Sequence, residues 1–166
     1  MPDRAYLLIV EDNRDQLEVY EEELESKDYL IETSDTVVEA IKKIRKQTYD
    51  VVIIDLKMPG LKSSEMGGLK VMEEILESSP RTQIIVVTGY GTSKLAREAF
   101  KEGVYDFIDK PINYDELRRI IKNAILESRT KVQKINPFCP KTGVEPKVFG
   151  GRFKELRFFE NKLQGS

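Results

Sequence analysis

The chain contains no histidine, no tryptophan and one cysteine. The absence of histidine excludes an imidazole metal ligand, an imidazole general base and a phosphohistidine carrier within these 166 residues. Cys139 has no second thiol to pair with, so an internal disulfide is excluded and a reducing cytoplasm is the expected setting. No apolar run approaches the roughly 18–20 residues that a membrane helix needs, and no secretory signal precedes the first apolar run. Hydrophobic residues make up 40% and charged residues 34%, a soluble globular balance rather than a disordered one.

The formal net charge of −2 hides an asymmetry. Residues 1–133 carry 20 basic and 26 acidic side chains, whereas residues 134–166 carry 7 and 3, together with five of the seven phenylalanines. A net acidic main segment gives no support for nucleic-acid binding by this chain alone. The sequence therefore divides into a domain over 1–130, a linker over 131–149 containing Asn136-Pro137-Phe138-Cys139-Pro140, and a segment over 150–166. That last segment regains helical spacing through Phe153, Leu156, Phe159 and Leu163 but is too short to bury its aromatics alone. It reads as an orphan helix or the start of a truncated output domain.

Within 1–130, short apolar runs alternate with amphipathic stretches. Ala5–Val10, Leu30–Thr33, Val51–Ile54, Ile84–Val87 and Asp106–Asp109 read as strands. Asn13 is placed to cap a first helix running to about Lys27 on Leu17, Tyr20 and Leu24. Val37, Val38, Ile41 and Ile44 mark a second helix, and Leu69, Val71, Met72, Ile75 and Leu76 a third. Leu95, Ala96, Ala99 and Phe100 mark a fourth that stops near Gly103, and a fifth runs from Asp115 to about Lys131. Strands that are apolar throughout suit a parallel sheet covered on both faces. Five strands alternating with five helices predict an open, doubly wound α/β sheet.

Four polar signals each follow an apolar strand: Glu11-Asp12, Asp55, Thr88 and Lys110. In an open parallel sheet such positions meet beyond the carboxyl ends of the strands. Clustered carboxylates repel unless a cation neutralises them, and Mg²⁺ (or Mn²⁺) suits an all-oxygen set. A carboxylate can attack phosphorus to give an acyl phosphate, with an ammonium and a hydroxyl available for the phosphoryl oxygens. Taken singly, each residue has a plain explanation as a turn residue, a cap or a strand former. Their recurrence at four strand ends points to phosphoryl chemistry.

The segments LLIVEDN, VVIIDLKMPG, IIVVTGYGT and YDFIDKP resemble the receiver domain of two-component response regulators over about residues 4–130. The resemblance implies a flavodoxin-like fold with strand order 2-1-3-4-5. It implies Asp55 as phosphoacceptor, and Mg²⁺ held by Asp12, Asp55 and the backbone carbonyl of Lys57, with Glu11 acting through water. Thr88 would bond the phosphoryl group, Lys110 would pair with it, and the Lys110-Pro111 bond would be cis. Thr88 and Phe107 would form the switch, the ring following the hydroxyl inward and repacking the face of the fourth helix, fifth strand and fifth helix. The implied partner is a sensor histidine kinase or phosphotransfer protein, with a homodimer as a candidate assembly. The short stretch GVEPKVFGGRFKEL resembles the entry to some AAA-type ATPase domains, but no GxxxxGK[ST] follows it.

One departure stands out. Met58-Pro59 and the matching Gly68 are separated by about five more residues than is usual. The extended loop over 60–67 could shield an acyl phosphate, contact a kinase or be a harmless insertion, which leaves phosphate lifetime open. Three rival readings fit less well. An aspartyl phosphatase wants a second Asp where Lys57 stands, and a dinucleotide domain wants a Gly-rich turn where Glu11-Asp12-Asn13 stands. A pseudo-receiver would lack the intact set Asp12, Asp55, Thr88 and Lys110.

Overall fold

The computed structural model describes residues 4–60, 66–100 and 103–134. Its elements are β1 (Ala5–Val10), α1 (Arg14–Glu23), β2 (Tyr29–Ser34), α2 (Val37–Lys46), β3 (Val51–Ile54), α3 (Gly67–Ser78), β4 (Gln83–Gly89), α4 (Tyr90–Phe100), β5 (Asp106–Lys110) and α5 (Tyr114–Lys134). All strand pairs are parallel and the order is β2-β1-β3-β4-β5, as the resemblance implies.

The sheet is covered on both faces because its central strands are apolar at both parities. Leu8, Val10, Val52, Ile54, Ile84 and Val86 face α2, α3 and α4, through residues such as Ala40, Leu69, Met72 and Ala96. Leu7, Ile9, Val51, Ile53, Ile85 and Val87 face α1 and α5, through Leu17, Tyr20, Leu117, Ile121 and Ala124. Burying each large aliphatic side chain contributes about 1.5–3 kcal/mol. Two filled layers therefore hold the strand ends, and with them the polar residues just beyond.

The helix starts follow capping chemistry. Asn13 accepts from the Gln16 N–H at 3.2 Å, Thr36 caps α2 through the Glu39 N–H, and Asn113 accepts from the Glu116 N–H. Two expectations need correction. The first helix ends at Glu23, not near Lys27, because Ser26 Oγ accepts from the Asp28 N–H and diverts the backbone into a turn. Val38 is 48% exposed, and Ala40 takes its place on the buried stripe with Val37 and Ile44. The last helix continues unbroken past residue 130 to Lys134. The rest of the expected linker, from residue 135, and all of 150–166 lie outside the described residues.

Candidate phosphoacceptor site

The site forms where β1, β3, β4 and β5 end. Asp55 follows β3 directly, and its N–H still pairs with the Val10 carbonyl at 3.1 Å, so its backbone is fixed by the sheet. Strand alternation carried one step further puts Glu11, Asp55 and Lys110 in phase with Ile9, Ile53 and Ile108, the α1/α5 parity. The three side chains do meet. Lys110 Nζ donates to Asp55 Oδ2 at 2.8 Å and to Glu11 Oε2 at 2.9 Å. Asp55 Oδ1 accepts from the Lys57 N–H at 2.9 Å, and Glu11 Oε1 from the Asn13 N–H at 3.2 Å. Lys57 thus meets Asp55 through its N–H. The Lys110-Pro111 bond is cis, as expected.

The electrostatics follow from burial. Glu11 is only 2% exposed, and desolvation raises its pKa above the usual glutamate value. The Lys110 hydrogen bond opposes that rise, and the Asp55 charge adds to it. For Lys110, burial works against the ammonium, but hydrogen bonds to Asp55 and Glu11 outweigh it and raise the pKa. Lys110 is therefore the internal counter-ion of two crowded carboxylates.

Glu11, Asp12 and Asp55 each offer a carboxylate oxygen, and the three oxygens lie within 4.8 Å of one another. Glu11 and Asp55 are buried while Asp12 is exposed, so the cluster opens to solvent on the Asp12 side. A set of carboxylate oxygens beside an open edge fits a hard divalent cation that retains waters. Thr88, on β4, has the opposite parity to the three charged groups. It is fully buried, and its Oγ1 is the buried side-chain polar atom without a hydrogen-bond partner among the described residues. Such an orphan costs about 1–3 kcal/mol in the state that leaves it unpaired.

Gly68 explains how α3 approaches so closely. A Cβ there would lie 2.3 Å from the Asp55 carbonyl oxygen and 2.5 Å from the Leu56 Cα, so only glycine fits against the Asp55 backbone. The Gly67 N–H donates to the Met58 carbonyl at 2.7 Å, and Pro59 and Met66 form an antiparallel bridge. These contacts close the base of the extended loop, whose residues 61–65 lie outside the described set. The sequence reading missed Arg97 and Ser93 on α4. Arg97 donates to the Phe107 carbonyl, and Ser93 Oγ bonds Asp109. Their i,i+4 spacing was visible but gave no sign of what they face.

The model of the response regulator receiver domain family matches residues 7–122. The chain belongs to this family. It is a receiver domain of the two-component response regulators, a signalling domain. The transcriptional regulatory protein GlrR of Escherichia coli K12 is 31% identical over 124 residues, covering 75% of this chain and 27% of GlrR. The chain thus spans about a quarter of the length of the curated relatives it matches. A response regulator receiver domain protein from Clostridium thermocellum superposes with a TM-score of 0.66 at 30% identity, over 78% of this chain and 98% of that one. The response regulator TrrA from Thermotoga maritima, solved in complex with Mg²⁺ and BeF, gives 0.61 at 31% identity, over 72% and 98%. Among the described residues no helix is long and apolar enough to cross a membrane.

Proposed function

We propose that this receiver is a Mg²⁺-dependent phosphoacceptor switch in which Asp55 takes a phosphoryl group from a sensor histidine kinase or phosphotransfer protein. The observation that carries the reading is the convergence of Lys110 on Asp55 and Glu11, beside the orphaned Thr88 hydroxyl. An oxygen of the Asp55 carboxylate bonds to phosphorus as the bond from phosphorus to the donor atom breaks. That atom leaves with the electron pair and takes up a proton. Lys110 then turns its ammonium to the new phosphoryl oxygens, and the Thr88 hydroxyl donates to one of them. Asp12, Asp55 and the Lys57 carbonyl would hold Mg²⁺, or Mn²⁺, with Glu11 reached through water. The cation would supply the positive charge that the phosphoryl oxygens require. TrrA, related at 31% identity, holds Mg²⁺ with beryllofluoride, a tetrahedral mimic of the phosphoryl group.

The consequence is a repacking of the face made by α4, β5 and α5, led by Thr88, with the inward Phe107 ring fixed in place beside it. That face controls a homodimer or an output domain. The domain catalyses its own phosphorylation and slow dephosphorylation, not turnover of a separate substrate, and it works in the cytoplasm.

The test combines intact mass with light scattering, in Mg²⁺, before and after a small phosphoryl donor, with Asp55→Asn as the control. A phosphoryl gain lost in the variant, with a change in molar mass, is expected. No Asp55-dependent gain from either a small donor or a kinase overturns the reading.

A further inference from the structure

The switch residue Phe107 is held from outside by one residue of α4. Its side chain is 9% exposed and packs in the core layer beneath α2, α3 and α4, so the ring already lies inward. Arg97 is itself exposed, yet its guanidinium carbon lies 5.4 Å from the Phe107 ring centroid, over the ring. The same guanidinium donates from Nη2 to the Phe107 carbonyl at 2.6 Å. One turn earlier on α4, Ser93 bonds the Asp109 carboxylate, and Asp109 is two residues after Phe107 on β5. The pair Ser93/Arg97 is therefore matched to the pair Asp109/Phe107, fixing the register of the helix on the edge strand. Thr88 pairs with Asp109 and Val86 with Phe107 across the β4–β5 ladder, so this fastening adjoins the orphaned Thr88 hydroxyl.

We infer that Arg97 is a positioning residue that keeps the Phe107 ring in the inward packing, so that the site is prepared for a phosphoryl group before one arrives. The inference rests on the phosphoacceptor reading above and adds the control of that site. The guanidinium lies over the ring, while the hydrogen bond fixes the strand backbone at the same residue. Both contacts come from one exposed side chain, so they can be removed without cutting into the core. When the inward state is only partly populated, apparent affinity for whatever requires it falls by that fraction.

The probe is beryllofluoride with Mg²⁺, titrated against the whole chain and the variants Arg97→Met and Arg97→Lys. Ring position is read by fluorine NMR of para-fluorophenylalanine-labelled chain, with the Phe107 signal assigned by Phe107→Leu. Arg97→Met should shift or broaden the Phe107 signal and weaken binding by about fivefold or more, the size of one net hydrogen bond plus an exposed cation–π contact. Arg97→Lys, which keeps the charge and a donor but loses the plane, should fall between. Thermal melting separates this from unfolding, since losing the two contacts should lower the midpoint by several degrees yet leave the chain folded at the titration temperature. An unchanged Phe107 signal with unchanged affinity in Arg97→Met overturns the inference and leaves the phosphoacceptor reading intact. Failure of the wild-type chain to bind beryllofluoride in an Asp55-dependent way would instead overturn that reading, together with the inference built on it.

Discussion

Replacing Lys110 by Met keeps most of the side-chain volume but removes the one ammonium that touches both Asp55 and Glu11. The two carboxylates then face each other with no internal counter-ion, and Glu11 is the less exposed of the two. Breaking a fully buried pair by removing one partner costs about 3–5 kcal/mol, and because Lys110 is 31% exposed the cost falls at or just below the bottom of that range, about 2–3 kcal/mol. At roughly 4 °C per kcal/mol for a domain of this size, the melting midpoint should fall by about 10 °C at pH 7. The sign with pH follows from Glu11, whose folded-state pKa is raised by burial. The folded chain holds that proton more tightly than the unfolded chain, so Glu11 is least costly once protonated. Without Lys110 its pKa rises further, and the gap between variant and wild type should narrow as pH falls through that value. Mg²⁺ should narrow the gap as well, by supplying the missing charge and binding only the folded chain. Calorimetric melts at pH 7 and pH 5, with and without Mg²⁺, test this. Equal midpoints at pH 7, or a gap that ignores both protons and Mg²⁺, would refute the assignment of Lys110 as counter-ion.

Two further expectations concern neighbours of the acceptor. Gly68→Ala forces a methyl into the Asp55 and Leu56 backbone, which cannot swing aside as a side chain can. Urea unfolding should show a loss of about 3 kcal/mol or more, and a loss below 1 kcal/mol would mean α3 is not seated as described. Thr88→Val replaces an unpartnered buried hydroxyl by a methyl, so the free chain should gain about 1 kcal/mol. Beryllofluoride affinity should fall about tenfold, the loss of one hydrogen bond to a charged group. A destabilised free chain would show that the hydroxyl already has a partner.

Much of this fold was legible because apolar runs of four to six residues report strands buried on both faces, whatever they pair with. The site was legible for a related reason: a carboxylate, hydroxyl or ammonium directly after such a run is placed by the sheet itself. Strand order came from family resemblance, since alternation alone does not rank neighbours. The Glu11–Lys110 pair spans 99 positions and obeys no period, so composition could suggest a cation near the acids but not which carboxylate it would bridge. Val38 shows the limit of helical periodicity, because one residue of error along α2 moves a side chain about 100° around the axis. Ser93 and Arg97 were hidden for a different reason. Polar residues on a helix look alike whether they meet water or the backbone of the next strand.

The closure between Pro59 and Met66 joins the two ends of the extended loop beside Asp55. Both ends of the segment are tied, one by the bridge and one by the Gly67 N–H on the Met58 carbonyl, before the chain reaches α3. Lengthening a loop whose ends are already joined costs only a slowly growing entropy, about 0.6 kcal/mol for each doubling. The position is therefore a natural grafting point. A tag, a reporter or a recognition peptide can be carried beside Asp55 while the strand that presents it and the helix that seats on it keep their geometry.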